Sequence, residues 1–106
     1  MLIISTKIEL KLATKHDVNR EEVEQCISNL DENDRLFEDD REGNQTIPPT
    51  FWFISETDNG RKLKVVVVPK NGDLYLKTAY EANNAELKLY ARLNNQFMKN
   101  DYELEV

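Results

Sequence analysis

His16 is the chain's one histidine, and an imidazole, which titrates at about pH 6.5 when unperturbed, suits proton shuttling near neutrality. A second set of chemistry-bearing side chains comes later. Arg61, Lys62, Lys64, Lys70 and Lys77 follow one another almost without interruption in an acidic chain. Residues 1–60 carry a charge balance of −8 and residues 61–106 one of +2, so the cations are gathered rather than scattered. Each set also has a plain structural role open to it. His16 continues the spacing of Ile8 and Leu12 and falls at a helix C-terminus, where a cation is favoured. The lysines can equally be solvated residues guarding a sheet.

The elements that must position these residues centre on Thr50 to Tyr80. Asp58-Asn59-Gly60 lies between Phe51-Trp52-Phe53-Ile54 and Leu63 to Val68, and Asn71-Gly72 lies between that run and Leu74 to Thr78. Asn-Gly supplies the positive φ angles of a two-residue type I′ turn, so two such turns predict a three-stranded antiparallel meander. Alternation puts Lys62 and Lys64 on one strand face with Val66 and Val68, and Arg61 on the other with Leu63, Val65 and Val67. Trp52 and Phe53 then point to opposite faces. One of them is expected outside the principal core, as a partner contact or a base-stacking platform.

Leu2-Ile3-Ile4-Ser5 reads as a first strand, and Thr6 with Glu9 as a capping box opening a helix over about Lys7–His16. Alternation of Ile8, Leu10 and Leu12 leaves a strand open as the other reading. Asn19 and Glu22 form a second capping box, with Val18 and Val23 as its hydrophobic staple, and Val23, Cys26, Ile27 and Leu30 share one helical face. Arg35–Asp40 reads as a brief strand, Asp39–Gln45 as loop, and Asn84 to about Lys99 as the last helix. Tyr102, Leu104 and Val106 alternate, so residues 100–106 are either a loose tail or an extra strand. The expectation is an α+β domain of order β-α-α-β-β-β-β-α, an antiparallel sheet with its helices on one face.

One domain fits 106 residues. No apolar run approaches the roughly 20 residues needed to cross a bilayer. No cationic stretch followed by an apolar segment opens the chain as a secretory signal would. The single cysteine, Cys26, lies on a core stripe and excludes an internal disulfide. These features predict a cytoplasmic location. A net charge of −6 argues against tight nonspecific nucleic-acid binding and suits a basic protein partner, while leaving room for a local basic cleft.

Four segments in register carry a family resemblance over about residues 2–90. Lys15-His16-Asp17-Val18, with Glu21-Glu22-Val23 behind it, resembles the K-H-G-V-x-x-E-E segment of the BrnT-like toxins of bacterial toxin–antitoxin systems. Phe37-Glu38-Asp39-Asp40-Arg41 is similar to their F-x-D…R stretch. Arg61-x-Leu63-x-Val65-Val66 is similar to their R-x-L-x-V-V strand. Thr78-Ala79-Tyr80-Glu81-Ala82, followed by Glu86 and Tyr90, is similar to their S-A-R-x-A…E…Y ending. The chain also resembles short bacterial proteins often labelled ADP-ribosyl-dinitrogen-reductase hydrolases. Its adjacent acid pairs, Asp31-Glu32 and Asp39-Asp40, lack the spacing of a carboxylate-held metal pair, so no metal or other cofactor is expected.

The BrnT resemblance implies a RelE-like fold and a metal-independent ribonuclease neutralised by a cognate antitoxin. Such cleavage needs a base for the ribose 2′-hydroxyl, cations for the phosphorane and an acid for the leaving oxygen. Carried over residue by residue, the resemblance assigns proton transfer to His16 or Glu81, with Tyr80 beside them, and RNA binding to Arg41, Arg61, Lys62 and Lys64. Tyr80 stands where many of these toxins have arginine; it can donate a hydrogen bond but cannot neutralise a phosphate. The alternative from composition is a non-catalytic acidic module, immunity- or antitoxin-like, that binds a basic protein.

Overall fold

The structure, a computed structural model, describes residues 1–39 and 47–104. Arg41 and most of the expected 39–45 loop lie outside the described residues. The elements are β1 (Leu2–Ile3), α1 (Thr6–Lys11) continuing as a π-helical turn (Leu12–His16), α2 (Arg20–Ser28), β2 (Phe37–Glu38), β3 (Phe51–Glu56), β4 (Lys62–Lys70), β5 (Asp73–Glu81) and α3 (Asn84–Leu104). They form an α+β architecture around a five-stranded sheet of order β1-β5-β4-β3-β2. The meander β3-β4-β5 is antiparallel as expected, but β1 pairs parallel to β5 (Leu2 with Leu74, Ile3 with Tyr75). The sheet is therefore mixed. The two helices between β1 and the meander carry the chain across one face and free β1 to enter beside β5 in the same direction.

Local chemistry explains most boundaries. Asn19 caps α2 with both bonds of its box: its Oδ1 accepts from Glu22 N at 2.9 Å and Glu22 Oε1 accepts from Asn19 N at 3.2 Å. The cap of α1 is Ser5 rather than Thr6, its hydroxyl accepting from Ile8 N at 3.2 Å. Of the two hairpin turns, one is as expected: Asn71 (φ 55°) and Gly72 (φ 83°) make a two-residue turn between Lys70 and Asp73. The other is longer. Gly60 N donates to Thr57 O at 2.9 Å and Thr57 N to Arg61 O at 2.9 Å, with positive φ at Gly60 (81°) but not at Asp58 or Asn59. This is a three-residue loop closed by a glycine bulge, because Thr57 Oγ1 captures Arg61 N at 3.1 Å and extends the pairing geometry by one residue. At the C-terminal end, α3 runs helically to Leu104, so the backbone of residues 100–104 continues the helix instead of forming a strand; Glu105 and Val106 lie outside the described residues.

The helices cover both faces of the sheet, not one. Phe53, Leu63, Val65, Val67 and Ala79 point to the first face and are fully buried with Leu12, Val18, Val23 and Cys26 of the N-terminal half. Trp52, Lys64, Val66 and Tyr80 point to the second, where α3 places Tyr90 5.5 Å from the Trp52 ring and Glu86 3.1 Å from Lys64 Nζ. Burying each large apolar side chain stabilises by about 1.5–3 kcal/mol, so a β3 carrying Phe53 on one side and Trp52 on the other demands two covers. Both aromatics are accordingly buried, and neither is an exposed stacking platform.

One irregularity matters for the site. Pairing of β4 with β5 jumps from Val66–Thr78 to Val67–Leu76, leaving Lys77 as an extra residue. This bulge puts Leu76 (5% exposed) and Ala79 (0%), three positions apart, on the same buried face. It also re-aims Lys77, so that Lys77 and Thr78, adjacent in sequence, both border one groove on the opposite side.

Candidate functional site

That groove, of about 330 Å³, is bordered by Lys11, His16, Lys64, Lys77, Thr78 and Tyr80, with Thr50, Val66 and, as the one acid among the described residues, Asp39. Its two rings define its centre: His16 and Tyr80 stand 5.6 Å apart between centroids, tilted by 40°. His16 arrives there because α1 widens into the π turn. Five residues along an α-helix lie about 140° apart, but an i→i+5 turn stacks them, which brings Lys11 to the same side as His16. The turn ends at Asp17 with φ 52°, a conformation glycine adopts without cost.

Tyr80 and Lys64 are held by Glu86. The Tyr80 hydroxyl donates to Glu86 Oε2 at 2.8 Å, and Lys64 Nζ lies 3.1 Å from the same oxygen. Lys64 is only 9% exposed, with its ammonium 4.8 Å from the Trp52 ring centroid and 5.9 Å from that of Tyr80. Glu86 is itself fixed at the start of α3: its Oε1 accepts from Asn83 N at 3.1 Å, while Asn83 Oδ1 accepts from Glu86 N at 2.8 Å. Burial works to raise the Glu86 carboxyl pKa, but the bonds from Asn83, Tyr80 and Lys64 outweigh it and hold the group below its ordinary value. The Lys64 charge is thus compensated. Lys11 and Lys77 are exposed, and among the described residues neither has an ion-pair partner.

The other expected site residues sit elsewhere. Arg61 points to the α2 face, where its guanidinium donates to Asp17 O at 2.7 Å, Glu22 Oε2 at 3.0 Å and His16 O at 3.1 Å. It does not border the groove; it clamps the backbone of His16 from the far side. Glu81 lies on that same face, 3.8 Å from Arg61 and mostly exposed, away from Tyr80 by strand alternation. Lys62, 4.0 Å from Glu56, borders a different cavity of about 710 Å³ together with Asp31, Asp34, Glu56 and Asp58. His16, Tyr80 and Lys64 are therefore brought together, while Arg61, Lys62 and Glu81 are not.

Glu86 and Lys11, to which the sequence assigned no site role, complete the site. The Asn83-Asn84-Ala85-Glu86 spacing is a capping-box signal and could have located Glu86 at a helix start. Lys11 had no such signal, since its place beside His16 depends on the π turn. Among the described residues, no group of three or more His, Cys, Asp or Glu stands together to hold a metal ion, and no helix is long and apolar enough to cross a membrane. No family model matches the chain, and no curated protein matches it.

Proposed function

We propose that this protein acts on RNA as a metal-independent endoribonuclease of the BrnT-like toxin kind, a RelE-like domain working in the bacterial cytoplasm under a cognate antitoxin. One observation carries the reading: the only imidazole faces Tyr80 across a groove that also gathers Lys11, Lys64 and Lys77. In the reaction, His16 takes the proton of a ribose 2′-hydroxyl and the 2′-oxygen forms a bond to phosphorus. The bond from phosphorus to the 5′-oxygen breaks, and that oxygen leaves with a proton from the Tyr80 hydroxyl, which the His16 imidazolium then restores. Lys11 and Lys77 neutralise the phosphate, and Lys64, fixed between Glu86 and Trp52, orients Tyr80. Purified protein in EDTA should cut a labelled RNA to 2′,3′-cyclic phosphate and 5′-hydroxyl ends. H16A should abolish cleavage, and K11A and K77A should each flatten the salt dependence of RNA binding by about one phosphate contact. Absence of both cleavage and binding overturns the proposal.

A second reading, an acidic module that binds a basic protein, draws on the 710 Å³ cavity, where four carboxylates outnumber Lys62. It expects harmless overexpression in bacteria and salt-sensitive binding of polylysine that D31N/D34N weakens. The first reading expects growth arrest with loss of mRNA, relieved by H16A.

A further inference from the structure

We infer that the edge of β3 from Ile54 to Glu56 takes up an extended, lysine- or arginine-bearing segment of a partner protein as an added strand; this rests on the basic-partner reading of the 710 Å³ cavity beside that edge. The register of the sheet leaves the edge open. Thr57 N donates to Arg61 O at 2.9 Å, so Thr57 and, two residues back, Ser55 turn their backbone groups toward β4. Ile54 and Glu56 turn theirs the other way, to the side where β2 lies. β2 covers β3 only as far as Trp52, which pairs with Phe37. Arg35 would come next, opposite Ile54, but the Tyr90 hydroxyl stands between them: the Ile54 amide is hydrogen-bonded to it, and it donates to Arg35 O at 2.9 Å. Glu56 O accepts from Asn29 Nδ2 at 2.9 Å. Ile54 O and Glu56 N remain, with no partner among the described residues. An acceptor and a donor at this spacing match the N–H and C=O of one residue in a strand running parallel beside Ser55.

Charge selects the occupant. Asp31, Asp34, Glu56 and Asp58 border the cavity, and Lys62, 4.0 Å from Glu56, is the one cation bordering it among the described residues. Carboxylates around a sheet edge repel a second copy of this chain, whose net charge is −6, and favour a strand that carries cations. Ile54, 6% exposed, and Leu87 add an apolar floor, so a segment alternating cationic with smaller side chains meets both kinds of wall. Among the described residues the cavity shares no bordering residue with the His16 groove, so binding here is separate from RNA binding.

The test uses the full-length protein and a fluorescent, end-capped octapeptide of alternating lysine and threonine. Two further versions carry N-methyl groups on all the lysine amides or on all the threonine amides. Successive N–H groups of a strand point to opposite sides, so one methylated version should bind about tenfold more weakly and the other as the parent does. Hydrogen exchange at the Glu56 amide should slow by about tenfold in saturating parent peptide. E56P and E56Q both remove the carboxylate, but only proline removes the edge N–H, so E56P should bind about tenfold more weakly than E56Q. Equal binding of both methylated peptides, or unchanged exchange at Glu56, overturns the added strand whatever E56P does. So does failure of the octapeptide to bind while polylysine binds and D31N/D34N weakens it; in that case the basic-partner reading stands. Failure of octapeptide and polylysine alike overturns both.

Discussion

Replacing Glu86 by Gln probes the junction on which the site is built. The substitution keeps the shape of the side chain but offers one acceptor oxygen where Tyr80 and Asn83 use two, and it leaves the Lys64 ammonium with no carboxylate among the described residues. The side chains of Lys64 and Glu86 are 11% and 18% exposed, so water screens them little. Removing one partner of a buried pair costs about 3–5 kcal/mol. Here Lys64 keeps its place over the Trp52 ring, a cation–π contact that offsets about 1 kcal/mol, and the pair is not wholly dry. The expected loss is about 2–3 kcal/mol, read in urea as a midpoint lowered by roughly 1.5–2 M at an unchanged slope. In K64M/E86Q both charges are gone, so the double variant should recover about 1–2 kcal/mol relative to the sum of the singles. The pH dependence has a defined sign. A carboxyl held below its ordinary value stabilises the fold above the unfolded-state pKa of 4.5 and loses that contribution as pH falls through the lower folded value. The gap between wild type and E86Q should therefore be widest above pH 4.5 and close below it. An E86Q cost under about 0.5 kcal/mol, or additive single variants, would refute the argument that Glu86 organises Lys64.

Three further outcomes are expected. G60A and G72A should each cost about 1–2 kcal/mol in chemical denaturation through backbone strain alone, because a Cβ at either position meets nothing within 4 Å while φ is +81° and +83°. Burial, with the Glu22 charge adding to it, pushes the Cys26 thiol up to about 11, so it stays protonated at pH 8 and native-state labelling should track global unfolding; rapid labelling of the folded protein would contradict its placement. R61M should lower stability by about 1–3 kcal/mol, measured as a shift in the urea midpoint, by freeing Glu22 and two carbonyls, yet leave the salt slope of RNA binding unchanged, unlike K11A or K77A.

The sequence by itself determined the parts whose physics is local. Asn71-Gly72 dictated its turn because both residues must take positive φ, Asn19 and Glu22 dictated the start of α2 by mutual capping, and alternation placed Lys64 of β4 and Arg61, just before it, on opposite sides of the sheet. The parallel entry of β1, the two-sided cover of the sheet and the destination of each cation were decided by tertiary structure. A strand pattern shows which residues share a face, but what packs on that face depends on where distant helices can bury their own apolar stripes. The π turn brings Lys11 round to His16, the bulge at Lys77 re-aims a lysine into the same groove, and α2 draws Arg61 away from it. Each depends on a one-residue departure from regular geometry or on contacts between segments some forty residues apart, and neither leaves a mark in composition or period.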